Sequence, residues 1–157
     1  MAHSETNSLL RLFGTPRELL SKADGDLARL TDALARGRQR EALHAPMDCS
    51  ITVFHTGDWI RATHPDHRRS SRDLAANSKW LRMTRDIANA AKHGDLTWKA
   101  VDAETHGAVL AKMEYKVDRR KPATDHRIVG LTADATSHDV LDVLREAIAE
   151  WRAFVEA

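Results

Sequence analysis

Arg85, Asn89 and His93 recur at intervals of four, so in a helix they share one face, with Lys92 beside them three residues beyond Asn89. That face would carry a fixed cation, an amide, an ammonium and a titratable imidazole along about 12 Å of helix. Such a set suits an anionic oxygen: guanidinium and ammonium hold its charge, the amide orients it, and the imidazole moves a proton. The chemistry expected is binding of a phosphodiester and its cleavage without a metal ion. Ala88, Ala90 and Ala91 are small enough to let a second helix or an extended ligand come close. A structural role stands beside this one. Lys92 and His93 fall in the last turn before Gly94, where cations complement the helix dipole. Arg85 could pair with Asp58 or Asp86, and Asn89 could bond to His55 in a buried network.

His55 and Asp58 are the supporting candidates. Met47, Ile51 and Phe54 make an apolar stripe whose next position is Asp58, and a carboxylate facing a core requires a partner. His55 and Asp58 also have the i, i+3 spacing of metal ligands, as do His64 and His67, but neither pair forms a His-Glu-x-x-His array, and no metal or other cofactor is expected. Arg68, Arg69 and Arg72 offer a second basic cluster that could contact a nucleic-acid backbone, with Lys116, Arg119, Arg120 and Lys121 at a hairpin tip. Cys49 has no evident base nearby in sequence and reads as a buried thiol.

The elements that must position these residues follow from periodicity. Thr15-Pro16-Arg17-Glu18 is a helix start, and Leu20, Ala23, Leu27, Leu30 and Leu34 continue it to Gly37. A second helix is expected from about Pro46 to about Ala62. Thr63 to Arg72 lacks apolar periodicity and reads as a surface loop. A third helix, capped by Ser71, would carry Leu74, Leu81, Thr84, Ala88 and Ala91 and stop at Gly94. The period then becomes two: Val109 to Val117 and His126 to Ala133 predict a β-hairpin, to which Thr97 to Val101 could add a strand. Ser137 is expected to cap a last helix bearing Leu141, Leu144, Ile148, Trp151 and Val155.

A length of 157 residues, 42% apolar and 30% charged, predicts a single domain: a leader over 1–14, helices over 15–94, a hairpin region over 95–135 and a helix over 137–157. Twenty-four basic against 23 acidic residues leave a net charge of +1, which excludes a globally basic RNA binder, so any such contact must be local. The single cysteine excludes an internal disulfide and fits a reducing cytoplasm. The absence of a long apolar run predicts no membrane partner. Nine histidines are the compositional oddity, and only His55 and His93 stand among neighbours suited to proton chemistry.

Asn89-Ala-Ala-Lys-His93 resembles the Asn-x-x-x-His end of the signature of the HEPN superfamily. Phe54-His55-x-x-Asp58-Trp59, followed by Arg85 to His93, also looks like a group of small bacterial and phage proteins. In the usual pattern an arginine immediately precedes the polar residue. Here Ala88 holds that place, and Arg85 stands on the same face one turn earlier. The resemblance implies a mainly α, HEPN-like bundle of about four helices, with the β-hairpin inserted before the C-terminal helix. It implies an RNA-directed toxin or phage-defence protein acting as a metal-independent ribonuclease, with His93 moving the proton, Asn89 orienting, and Arg85 or Lys92 holding phosphate. It also implies a homodimer formed through the motif helix. The alternative is a non-catalytic interaction protein whose polar helix face is a structural network at a dimer or partner interface.

Overall fold

A computed structural model describes residues 14–92, 110–120 and 125–157, with the backbone alone described at Ala91, Lys92 and Ala111. The first helix, α1 (Pro16–Ala35), begins in the capping box its sequence predicts: the Thr15 hydroxyl accepts from the Glu18 amide at 3.3 Å, and Glu18 Oε2 accepts from the Thr15 amide at 3.1 Å. Gly37 ends it at φ 63°, with the Arg38 amide donating to Ala33 O at 2.8 Å and the Gly37 amide to Leu34 O at 3.1 Å. This is the crossed pair of bonds that satisfies the last carbonyls of a helix and needs a left-handed residue.

The second helix, α2 (Gln39–Thr63), starts before Pro46 and carries that proline, buried, in its interior. The proline's fixed φ is itself helical, so its presence forfeits a hydrogen bond without preventing the turn. The expected Met47, Ile51, Phe54 and Asp58 stripe is not the core face. The buried positions are instead Ala42, Ala45, Cys49, Thr52, Val53, Thr56, Gly57 and Ile60. Hydroxyls can occupy them because each has a local carbonyl: Thr52 Oγ1 donates to Asp48 O at 3.1 Å and Thr56 Oγ1 to Thr52 O at 3.0 Å.

The stretch expected as a loop is ordered into a 3-10 turn (Pro65–His67) and a helix, α3 (Arg68–Asn77). The single helix expected from Ser71 to His93 is two helices, α3 and α4 (Lys79–Lys92), parted at Ser78. Ser78 takes an extended backbone, ψ 122°, and its Oγ accepts from the Leu81 amide at 3.1 Å, while also donating to Glu150. A side-chain oxygen satisfying the third amide of the next helix is a cap, and it restarts the chain in a new direction.

The hairpin is present as β1 (Leu110–Asp118) and β2 (Asp125–Thr132), antiparallel with Tyr115 opposite Ile128 and Val117 opposite His126. A third strand, β3 (Ser137–Asp139), joins it in the order β1-β2-β3. Ser137 therefore lies in a strand, and Asp139 caps the last helix, α5 (Val140–Glu156), by accepting from the Leu141 amide at 2.9 Å. The expected strand over Thr97 to Val101, and the leader up to Phe13, lie outside the described residues. The described chain is thus mainly helical with a small antiparallel sheet placed before the last helix. Its core is the junction of Leu30, Val53, Ile87, Leu144 and Trp151 with Leu110 and Ile128 of the sheet. Among the described residues no helix is long and apolar enough to cross a membrane.

Candidate functional site

Asp86, in the middle of α4, is 2% exposed, and it defines the chemistry of that helix. Its spacing from Met83, Ile87 and Ala90 puts it on the buried side, so its carboxylate must be answered from inside the fold. The Leu110 amide, at the start of β1, donates to Asp86 Oδ2 at 3.0 Å, and Arg85 Nη2 donates to Oδ1 at 3.1 Å. Of the two carboxylates open to Arg85, the fold thus pairs it with Asp86. Asn89 follows one turn later, half-buried. The backbone of Lys92 closes the helix, and His93 and Gly94 lie outside the described residues.

The α2 candidates sit differently from their expected places. Asp58 is 50% exposed and His55 49%, so Asp58 is no buried carboxylate. His55 Nδ1 and Asp58 Oδ2 are 3.0 Å apart, and Arg61 Nη2 donates to Asp58 Oδ1 at 2.5 Å. These are i, i+3 contacts along one outer face. The correction has a simple cause: small residues pack closer than large ones, and the face of α2 that bears Cys49, Thr52, Thr56 and Gly57 turns inward. Among the described residues no group of three or more His, Cys, Asp and Glu could hold a metal ion.

Between these two helices lies a cleft of about 50 Å³, lined by Phe54, Gly57 and Arg61 of α2, Thr84 and Arg85 of α4, and Trp151 of α5, with Val53, Ala75 and Leu81 as apolar walls. Gly57 makes it possible. A Cβ there would stand 2.8 Å from Trp151 Cζ2 and 3.2 Å from Arg61 Nη1. Only a residue without a side chain lets an indole and a guanidinium share that space. The Trp151 indole is 2% exposed, and its Nε1 has no hydrogen-bond partner among the described residues. A buried N–H left without an acceptor costs about 1–3 kcal/mol. The Thr84 hydroxyl donates elsewhere, to Trp80 O at 2.9 Å.

Protein-family models, curated proteins and solved structures yield no match to this chain. The site is therefore read from its own geometry. Of the residues expected on the Arg85–His93 face, Arg85 lines the cleft and Asn89 does not, and Arg61, Thr84 and Trp151 line it without having been expected as site residues. The one signal for them was Gly57, a glycine in a helix interior, where its flexibility is a cost unless something must come close.

The remaining candidates are scattered. Arg68, Arg69 and Arg72 belong to α3 rather than a loop. Arg68 Nε is spent on Arg61 O at 3.0 Å, and Arg69 lies 4.0 Å from Asp73. None of the three lines the cleft. His64 and His67 border a separate, wider groove of about 420 Å³ with Arg17, Ile60 and Phe154. Cys49 is fully buried, its thiol directed to Ala23 O at 3.6 Å, and burial pushes its pKa up to about 12. A thiol held neutral in this way is no nucleophile.

Proposed function

We propose that the chain is an RNA-directed protein of HEPN-like type, a toxin or defence ribonuclease, that holds phosphate at the cleft between α2 and α4. The observation that supports this is the convergence of Arg61 and Arg85 from two helices on one narrow space walled by Phe54 and Trp151. Guanidinium groups match the geometry of phosphate oxygens, and in a partly desolvated cleft each contact is stronger than on an open surface. Asn89, one turn beyond Arg85, would orient the bound chain. His93 would act as general base on the 2′-hydroxyl or as general acid on the leaving oxygen, with no metal taking part. Pairing of two copies through α4 belongs to the same proposal.

The test is cleavage of a labelled single-stranded RNA by the purified protein beside His93→Ala, with binding followed by anisotropy. Cleavage should fall at least a hundredfold in His93→Ala. Binding should weaken steeply between about 50 and 200 mM salt, because phosphate contacts release counterions. Equal cleavage by the two proteins removes His93 from the mechanism, and salt-insensitive or absent binding removes RNA.

A non-catalytic reading has its own support in Asp86. With its carboxylate taken by the Leu110 amide and Arg85, the polar stretch of α4 works as a structural network joining helix to sheet. An interaction protein with that network and no RNA affinity is the outcome that the binding measurement would then return.

A further inference from the structure

We infer that the outer edge of β1 is an interaction surface for a second copy of this chain, the two β1 strands pairing antiparallel about a two-fold axis at Tyr115. This goes beyond the proposed function, and the surface is a different one from α4, the helix named there for pairing.

β1 is nine residues long and, among the described residues, pairs with β2 and with no other strand. Every second residue of such a strand turns its N–H and C=O away from the paired side, which makes a row of groups ready to accept another strand. At the start of β1 Asp86 answers the Leu110 amide at 3.0 Å, and a shift of register between Leu110 and Lys112 interrupts the ladder. The regular stretch is therefore Lys112 to Asp118. Within it Val117 is 36% exposed, a large apolar side chain left uncovered on the edge strand.

Charge selects the occupant and its register. Residues opposite each other in an antiparallel pair must both turn their backbone groups toward the partner or both away, so a strand that meets its own copy is centred on a residue and not between two. Lys112, Glu114, Lys116 and Asp118 alternate in sign along one face of β1. With the centre at Tyr115, Lys112 lies opposite Asp118 of the second copy and Glu114 opposite its Lys116, and symmetry repeats both pairs. Met113 then falls opposite Val117 of the second copy, which extends the apolar face over the exposed valine. Centres at Glu114 or Lys116 set like charges against each other, and centres at Met113 or Val117 run the ladder into the register shift or past the end of the strand at Asp118. In the single chain Glu114 serves two lysines, with Lys112 Nζ at 2.5 Å and Lys116 Nζ at 3.3 Å, while Asp118 accepts from the Arg120 amide at 3.0 Å. A second copy gives each lysine a carboxylate of its own, and exposed ion pairs are exchanged at little cost.

The test is sedimentation equilibrium of the full chain from about 10 μM to 1 mM, the range in which a small interface associates. The parent chain should pass from monomer to dimer. Glu114→Lys and Lys116→Glu each set like charges opposite one another, and each should weaken association at least tenfold, with far-UV circular dichroism unchanged. An equimolar mixture of the two variants puts opposite charges back across the axis and should dimerise as tightly as the parent. The double variant Glu114→Lys/Lys116→Glu should do so by itself, and it carries the same test if a single variant fails to fold. None of these substitutions touches α4. A parent chain that stays monomeric throughout overturns the inference, as it would if the chain's own residues 93–109 cover the edge. A dimer indifferent to both substitutions overturns it by placing the contact elsewhere, on α4 first. Loss in the single variants without recovery in the mixture or in the double variant overturns the pairing of the two strands.

Discussion

Removing the Asp86 carboxylate should cost the fold about 2–4 kcal/mol, and the sum follows from its contacts with the Leu110 amide and Arg85. In Asp86→Ala the Leu110 amide, on a residue with 0% exposure, loses its acceptor, worth about 1–3 kcal/mol. Arg85 loses its counter-ion too, but its side chain keeps 32% of its surface in solvent, so that loss is about 1 kcal/mol rather than the 3–5 kcal/mol of a sealed pair. Asp86→Asn has nearly the same shape and retains a carbonyl oxygen for the Leu110 amide, so it should cost only about 1 kcal/mol. Urea unfolding at pH 7, followed by far-UV circular dichroism, reads both. With a slope of about 2 kcal/mol per molar urea, the alanine variant should unfold about 1–2 M earlier and the asparagine variant about 0.5 M earlier. An alanine variant within 0.5 kcal/mol of the parent would refute the claim that this carboxylate ties α4 to the sheet. Equal losses in the two variants would move the cost from the strand amide to the lost charge.

Two further consequences concern the same core. Ser78→Ala removes the cap on α4 and should destabilise by about 0.5–2 kcal/mol, seen as a melting temperature lower by a few degrees; an unchanged melt would mean that the break between α3 and α4 does not depend on the hydroxyl. The Cys49 thiol should resist a disulfide reagent in the native state and react fully only in denaturant. Because its pKa rises from 9.0 to about 12 on folding, the neutral form is favoured in the fold, so its contribution to stability is intact below pH 9 and declines as pH rises toward 12. A native thiol that reacts as fast as the unfolded one at pH 8 contradicts this burial.

The parts of the fold that were legible in sequence are those with local causes. Thr15, Pro16 and Glu18 specify a helix start through contacts three residues apart, and Gly37 specifies its end by a backbone angle other residues rarely adopt. The alternation from Val109 to Val117 reports a half-buried strand for a similarly local reason. Ser78 was hidden because its role depends on geometry beyond its neighbours: a serine between two helical patterns is unremarkable until Leu81 folds back upon it and Glu150 arrives from α5. Asp139 rather than Ser137 is the last cap because β3 runs on through Asp139 and the helix starts only at Val140, which puts the Leu141 amide within reach of the Asp139 side chain.

Asp58 and Asp86 show why the candidate site was only half legible. Hydrophobic periodicity places the large residues of a helix inward, and on α2 that rule put Asp58 on the core stripe with Met47, Ile51 and Phe54, while Thr52 and Thr56 gave no apolar signal. The opposite arrangement wins because small side chains with locally bonded hydroxyls allow α1 and α5 to approach more closely than Met47, Ile51 and Phe54 would. On α4 Met83, Thr84, Ile87 and Ala90 are buried with Asp86 among them, so the buried carboxylate is there, bonded to the Leu110 amide and Arg85. The close approach that misled the periodicity also creates the cleft. Gly57 lets the Trp151 ring in against α2, and Arg61 and Arg85 line the same small space. A cleft built on close approach leaves its trace in sequence as missing side chains. In this chain the residue to read was therefore the glycine, before the histidines.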